Sequence, residues 1–296
     1  MEEMMESRGI EIPSIQWFPG HMAKTRRLIG ANLKLVDLVL EITDARIPQS
    51  SRNPELDRWI ETKPRMIVLN KCDNADPAAT KRWLSYYKKI GVPALACDCK
   101  TGAGISAFLP LVKQTLAPLI QKREAQGMAG RMIRIMVVGV PNVGKSSFIN
   151  RVAGAKRAKA EDRPGVTRGK QWVSLDKDVE LLDMPGVLWP KFEDPLVGEK
   201  LAFTGAVKDG VVDIELLAMR LLSYLADHYP QRLAERFKMT EIDGLDGYEL
   251  LELAGRKRGM LISGGEVNTE RAAITVMDEY RGGKLGKLTF EEPPEE

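Results

Sequence analysis

Three short strings in this 296-residue sequence carry residue types that can hold and cleave a phosphate chain. Gly139-Val-Pro-Asn-Val-Gly144-Lys145-Ser146 has the spacing GxxxxGK[ST]. Glycines so placed let successive backbone N–H groups turn inward around phosphate oxygens at a helix N-terminus. Lys145 would neutralise β- and γ-phosphate charge, and the Ser146 hydroxyl would ligate Mg²⁺. Pro141, Asn142, Val143, Gly144 and Ser147 complete the candidate cradle. Asp183-Met-Pro-Gly186 has the spacing DxxG, which brings a carboxylate behind the magnesium and a glycine amide toward the γ-phosphate. Thr167, in Pro164-Gly165-Val166-Thr167, has a hydroxyl suited to reach Mg²⁺ only while the γ-phosphate is present. Lys145, Thr167 and Gly186 are therefore candidates for the chemical step as well as for binding.

A fourth string names the base. Asn70-Lys71-Cys72-Asp73 has the spacing NKxD. Guanine offers N1–H and an exocyclic amino group on one edge, and the acceptor-only carboxylate of Asp73 can take both bonds. Adenine has a bare acceptor at N1 and would be repelled. Asn70 can bond the other edge, and the Lys71 stem can cover the ring face. Asp98-Cys99-Lys100 lies where a Ser-Ala-Lys loop stands against the base in GTPases. It keeps only the lysine, so Cys99 and Lys100 are base contacts by position alone. An ordinary GTPase runs P-loop, DxxG, NKxD; here NKxD comes first.

Hydrolysis also needs a group that orients water. Many GTPases place glutamine after the DxxG glycine, but Val187 stands here and has no polar side-chain atom. His21 is the internal candidate, against a packing role for the same residue and against a group supplied by a partner.

These residues need strand ends and loops to hold them. Apolar runs at Leu35–Ile42, Met66–Leu69, Ala94–Ala96, Ile133–Val138 and Val179–Leu182 predict strands that deliver Asp44, Asn70, Asp98, the P-loop and Asp183. Helical stretches at Ala79–Ile90, Ile105–Lys122 and Ser147–Val152 separate them, which predicts a mostly parallel sheet covered on both faces. Gln121–Arg131 reads as a linker. After Pro195 apolar residues recur at helical spacing, with Asp213 as an N-cap and Pro230 as a stop, and again after Asn268. Segments 231–238 and 248–258 are also expected to be helical. The expected division is a tail over 1–14, a nucleotide domain over 15–192 and a mainly helical domain over 193–296.

Composition sets outer bounds. The chain is 44% hydrophobic and 29% charged, with a formal net charge of +3. No stretch has the apolar length of a membrane span, and the acidic N-terminus lacks a signal-like core. Three cysteines, Cys72, Cys97 and Cys99, make no disulfide framework, so a reducing cytoplasm and free thiols are expected. Basic residues cluster at Lys24, Arg26 and Arg27, at Arg256–Arg258, and between Lys156 and Lys170, where six face two acidic ones. Three such clusters in a nucleotide-binding chain point to a polyanionic partner.

Taken together, the chain resembles the circularly permuted GTPases and, within them, the ribosome biogenesis GTPase A family. The resemblance rests on Gln16-Trp-Phe-Pro-Gly-His21-Met22, Asp44-Ala-Arg-Ile-Pro48, Asn70 to Asp73, Gly139 to Ser146, Pro164 to Thr167 and Asp183 to Gly186. It implies an α/β P-loop GTPase with a circularly permuted, mostly parallel, doubly wound sheet and a helical C-terminal domain that contacts ribosomal RNA. It implies GTP and GDP with Mg²⁺ as ligands, and potassium beside the phosphates at an Asn142-type loop. The implied partner is the large ribosomal subunit, both rRNA and proteins, with slow hydrolysis that the ribosome accelerates late in assembly. It also implies a hydrolytic role for the histidine at His21. A monomer is expected. The rival reading is a signalling GTPase with protein partners only. Permutation makes the segment after Gly186 the exit to the helical domain, so the stretch most sensitive to the γ-phosphate should pull on that domain.

Overall fold

The computed structural model describes residues 20–60, 63–154 and 171–295, and the side chains of His21 and Asp176 lie outside that description. By their contacts these residues form two units. One runs from 20 to 191 and includes 289 to 295; the other is Phe192–Leu288.

The first unit is built on β1 (Leu38–Asp44), β2 (Arg65–Asn70), β3 (Ala94–Ala96), β4 (Ile133–Val138), β5 (Gln171–Asp176) and β6 (Val179–Asp183). They make a six-stranded sheet in the order β3-β2-β1-β4-β6-β5. All neighbours run parallel except β5 beside β6. All seven residues of β1 are buried, as a strand covered on both faces requires. That burial includes the carboxylate of Glu41, which accepts from the Asn53 amide at 2.9 Å and pairs with Arg65 and Arg52.

Helices α1 (Gly20–Asn32), α2 (Pro54–Ile60), α3 (Pro77–Lys89), α4 (Phe108–Thr115), α5 (Ala117–Ala125) and α6 (Lys145–Ala153) belong to this unit. Helix α3 shows why the chain turns where it does. The Asp76 carboxylate accepts from the amides of Ala78 and Ala79, and Pro77 supplies a first-turn residue with no N–H to satisfy. One face of α3 then buries Ala79, Trp83 and Tyr87, the last two in a cluster with Ala45, Ile67 and Leu69.

Three local expectations shift. The strand expected from Leu35 starts at Leu38, because Leu33–Leu35 is a 3₁₀ turn that leaves Leu35 exposed. The helix expected over 105–122 is a 3₁₀ turn followed by α4 and α5, interrupted at Leu116 just before Pro118, whose missing N–H breaks the ladder. Helix α5 then continues to Ala125 through residues expected to be linker. Strand β5, unforeseen, is a short antiparallel edge strand.

The second unit holds α7 (Pro195–Phe203), α8 (Ile214–His228), α9 (Pro230–Phe237), α10 (Gly247–Lys257) and α11 (Thr269–Arg281). Asp213 caps α8 by accepting from Glu215 and Leu216, and Asn268 caps α11 through the Arg271 amide. Pro230 ends one helix and opens the next. Leu217, Leu221 and Leu225 of α8, Leu250 and Ala254 of α10, and Ala273, Val276 and Met277 of α11 are buried. Within this core Glu199 and Arg220 form a two-armed ion pair at 3.0 Å. Arg258 of the third basic cluster is held internally, on Glu279 at 3.0 Å and over the Phe237 ring.

The segment 289–295, expected within the helical domain, packs on the first unit instead. The Phe290 amide donates to the Arg46 carbonyl at 2.8 Å, and Trp83 Nε1 donates to the Glu291 carbonyl at 3.0 Å. The Glu291 carboxylate accepts from the amides of Gln49 and Ser50 and from the Ser50 hydroxyl. A buried carboxylate caps a buried loop, which is why the tail stays there.

Candidate functional site

The C-terminal ends of the parallel strands gather most of the chemically suited residues. Register places Asp44 opposite Asn70 and Val137 opposite Asp183. This edge of an open α/β sheet is where ligands bind. The P-loop leaves β4 at Gly139 and enters α6 at Lys145. Gly139 and Gly144 adopt positive φ, at 153° and 99°. At Gly139 a Cβ would strike the Ile42 carbonyl oxygen, and at Gly144 it would strike Asn70 Nδ2. Gly186 has a different reason: its missing Cβ would lie 2.8 Å from Pro141 Cα and 3.0 Å from Lys145 Nζ. These glycines keep the loop close to its neighbours and leave its amides clear.

Lys145 is buried, and its ammonium donates to the carbonyls of Gly139 at 3.1 Å and Val140 at 2.9 Å. Burial pushes its pKa down to about 8, against the opposing pull of Asp183. Ser146 Oγ lies 3.3 Å from Asp183 Oδ2. A hydroxyl beside a carboxylate is a hard-oxygen donor pair that fits Mg²⁺.

The base side is tied to this loop. Asn70 Nδ2 donates to the Val143 carbonyl at 2.8 Å, and Lys71 Nζ donates to the Asn142 carbonyl at 2.9 Å. Lys71 also pairs with Asp44 at 2.9 Å. Burial lowers the Lys71 pKa and Arg46 adds to that, with Asp44 opposing. Asp73 Oδ1 is buried with no hydrogen-bond partner among the described residues, a vacancy that the N–H groups of guanine would fill. Lys100 Nζ stands 4.0 Å from Asp73. The loop bearing Cys99 is fixed by Asp98, which accepts from the Lys100 amide at 2.7 Å and from the Thr101 amide at 3.0 Å. Burial would raise the Asp98 pKa, but these bonds and Lys100 hold it low. Arg151 of α6 donates to the Lys100 carbonyl.

The structure thus brings together Asn70, Lys71, Asp73, Cys99, Lys100, Pro141, Asn142, Val143, Gly144, Lys145, Ser146, Ser147, Asp183 and Gly186 around one sheet edge. Val187 is buried, and its amide donates to the Gly139 carbonyl at 3.3 Å, so neither its apolar side chain nor its N–H is placed to orient water. Thr167 lies outside the described residues, as does the whole basic stretch 156–170. His21 sits in the first turn of α1, with its side chain outside the description.

Sequence reasoning missed two supports of the site. Asp44 takes two guanidinium bonds from Arg46, at 2.9 and 2.8 Å, and holds Lys71. Burial opposes its ionisation, yet Arg46 and Lys71 keep its carboxyl far below the usual carboxylate range. The signal was a charged pair, Asp44 and Arg46, at the end of a fully buried strand. Cys97, the other omission, is buried with its thiol on Asn70 Oδ1 at 3.7 Å.

Comparison with known proteins agrees with this geometry. Residues 134–243 match the family described as 50S ribosome-binding GTPase. The chain is 49% identical over 283 residues to a ribosome biogenesis GTPase A of Priestia megaterium, covering 95% of this chain and 98% of that protein. It is 31% identical to the Thermotoga maritima protein of the same name, over 94% of this chain and 95% of that one. Among solved structures, GNP-bound YlqF from T. maritima matches with a TM-score of 0.63 at 29% identity, over 91% of this chain and 98% of that chain. A GDP-bound YlqF matches with a TM-score of 0.65 at 30% identity, over 90% and 99%.

Proposed function

The chain belongs to the ribosome biogenesis GTPase A family and is a GTPase, and from that premise we propose that it binds the precursor of the large ribosomal subunit, promotes late assembly and leaves on GTP hydrolysis. The observation that carries the reading is the convergence of NKxD, P-loop and DxxG on one sheet edge, with Asn70 bonded to the P-loop at 2.8 Å.

In this reading Asp73 and Asn70 select guanine, and Cys99 and Lys100 close over its edge. The P-loop amides and Lys145 hold the phosphates. Binding exchanges two neutral carbonyl partners of Lys145 for anionic oxygens, a stronger pairing for a buried ammonium. Ser146, Asp183 and Thr167 would hold Mg²⁺, which supplies charge neutralisation at the β- and γ-phosphates. The Gly186 amide senses the γ-phosphate, and the Asn142 loop would hold potassium, which would add positive charge beside the phosphates. His21 orients the attacking water when a ribosome orders its segment. The segment after Gly186 carries the nucleotide state toward residues 192–288, which read ribosomal RNA together with ribosomal proteins. The protein works as a cytoplasmic monomer.

Co-sedimentation with large ribosomal subunits tests this. Pelleting in a non-hydrolysable GTP analogue, release in GDP and a ribosome-stimulated GTPase rate are expected. No association in either state, with no stimulation, would favour a signalling GTPase with protein partners only.

A further inference from the structure

The base side of the site holds thiols whose redox chemistry nucleotide binding does not require. The three free cysteines all come from the two loops that frame it. The Cys72 amide donates to the Cys97 carbonyl at 3.2 Å. The Cys97 and Cys99 thiols both donate to the same atom, Asn70 Oδ1, at 3.7 and 3.1 Å. Sharing that acceptor puts the two thiols side by side. Cys97 is buried and Cys99 partly exposed. Among the described residues no group of three or more His, Cys, Asp or Glu side chains is placed to hold a metal ion.

We propose that Cys97 and Cys99 are an oxidant-sensitive thiol pair that controls guanine-nucleotide affinity. The two sulfurs have different roles. The neighbouring Cys97 thiol lowers the Cys99 pKa against burial, whereas Cys99, and then burial, raises that of Cys97. The exposed member is thus the nucleophile, and the buried member stands beside it to resolve the product, the arrangement of a peroxide-sensing pair.

The chemistry needs only a hydroperoxide. The Cys99 thiolate attacks one peroxide oxygen; an S–O bond forms, the O–O bond breaks, and hydroxide leaves. Cys97 sulfur then attacks the Cys99 sulfenic acid; an S–S bond forms, the S–O bond breaks, and water leaves with the Cys97 proton. Two thiols lose two electrons in all, and hydrogen peroxide becomes two waters. Asn70 Oδ1 then loses both S–H donors. The closed Cys97-Asp98-Cys99 ring also pulls on Asp98, which fixes the loop bearing Lys100. This inference rests on the reading of Asn70, Asp73 and Cys99 as the base pocket.

The test treats the full chain with hydrogen peroxide or dithiothreitol and measures free thiols, non-reducing peptide masses and affinity for fluorescent GDP. Peroxide should leave one of the three free thiols, yield a Cys97–Cys99 disulfide and weaken GDP binding about tenfold or more, reversed by dithiothreitol. Each variant is compared with its own reduced form. Cys97→Ser should stop at a Cys99 sulfenic acid that dimedone traps, and Cys99→Ser should be insensitive to peroxide. Unreacted Cys97 and Cys99, or a disulfide with unaltered GDP affinity, would overturn the proposal. Asp73→Asn, assayed in parallel without oxidant, separates the two readings. If it lowers GDP affinity while the disulfide does not, only the thiol pair fails; if it too is without effect, the base-pocket reading fails with it.

Discussion

The side-chain amide of Asn70 donates to the backbone carbonyl of Val143 at 2.8 Å, so a base-reading residue and the phosphate loop 73 positions away hold each other directly. Asn70→Ala should therefore loosen both ends of the nucleotide site. Leaving the buried Val143 carbonyl unsatisfied and losing a ring contact should cost about 1–3 kcal/mol of GDP affinity, roughly tenfold to a hundredfold. Calorimetric titration checks this; an unaltered affinity would show the bond to be incidental.

Asp73→Asn should have a different signature. An amide donor placed against the base edge suits xanthine, which accepts where guanine donates. GTP affinity should fall about 10²-fold or more while xanthosine nucleotides gain. Competition between GDP and xanthosine diphosphate distinguishes the two variants, since Asn70→Ala confers no such preference.

Lys145 predicts a pH dependence. Its pKa in the free protein lies near 8, below the ordinary 10.5. Between those values the unfolded chain binds a proton that the folded protein does not, so free-protein stability rises with pH across that window. Nucleotide binding runs the other way, because phosphates require the ammonium form. GDP affinity should fall as pH rises above 8, approaching tenfold per unit, with proton uptake on binding. Flat affinity between pH 7 and 9.5 would refute this role for Lys145.

His21→Ala should leave GTP affinity and ribosome association nearly unchanged and remove about 10²-fold or more of the ribosome-stimulated rate. If His21 only anchors its segment, folding stability falls instead. Full stimulation in the variant, with association preserved, would assign water orientation to a ribosomal group.

Asp44→Ala removes the anion between Arg46 and Lys71 and with it both guanidinium bonds of a buried ion pair. A loss of about 3–5 kcal/mol in unfolding free energy is expected. Urea denaturation of the nucleotide-free protein measures it, and a change below about 1 kcal/mol would mean that Arg46 relaxes to water.

The site was legible in the sequence because its parts are local strings. A P-loop needs its glycines and lysine at fixed spacing, and NKxD keeps base recognition within four residues. The sheet followed from apolar runs that end in those strings. The unseen parts depend on residues far apart in the chain. Nothing around Glu291 announces that it caps the loop at Ser50, and the Asp44–Arg46 pair shows its meaning only once Lys71 reaches it. Strand β5 was missed because its sequence, Gln-Trp-Val-Ser-Leu-Asp, has no continuous apolar run of the kind that marks the central strands. Cys97 and Cys99 read as ordinary thiols until Asn70 was found between them.

The return of residues 289–295 to the first unit makes residues 192–288 an insertion rather than an appendage. Both ends of that insert continue by chain into the first unit, one at Lys191, five residues after Gly186, the other at Thr289, whose hydroxyl reaches the Ala45 carbonyl. Gene truncation after Pro195 would thus also take away the cover of Ser50 and Trp83, and any loss of nucleotide binding could not be blamed on the helices alone. A clean excision would instead splice 191 to 289.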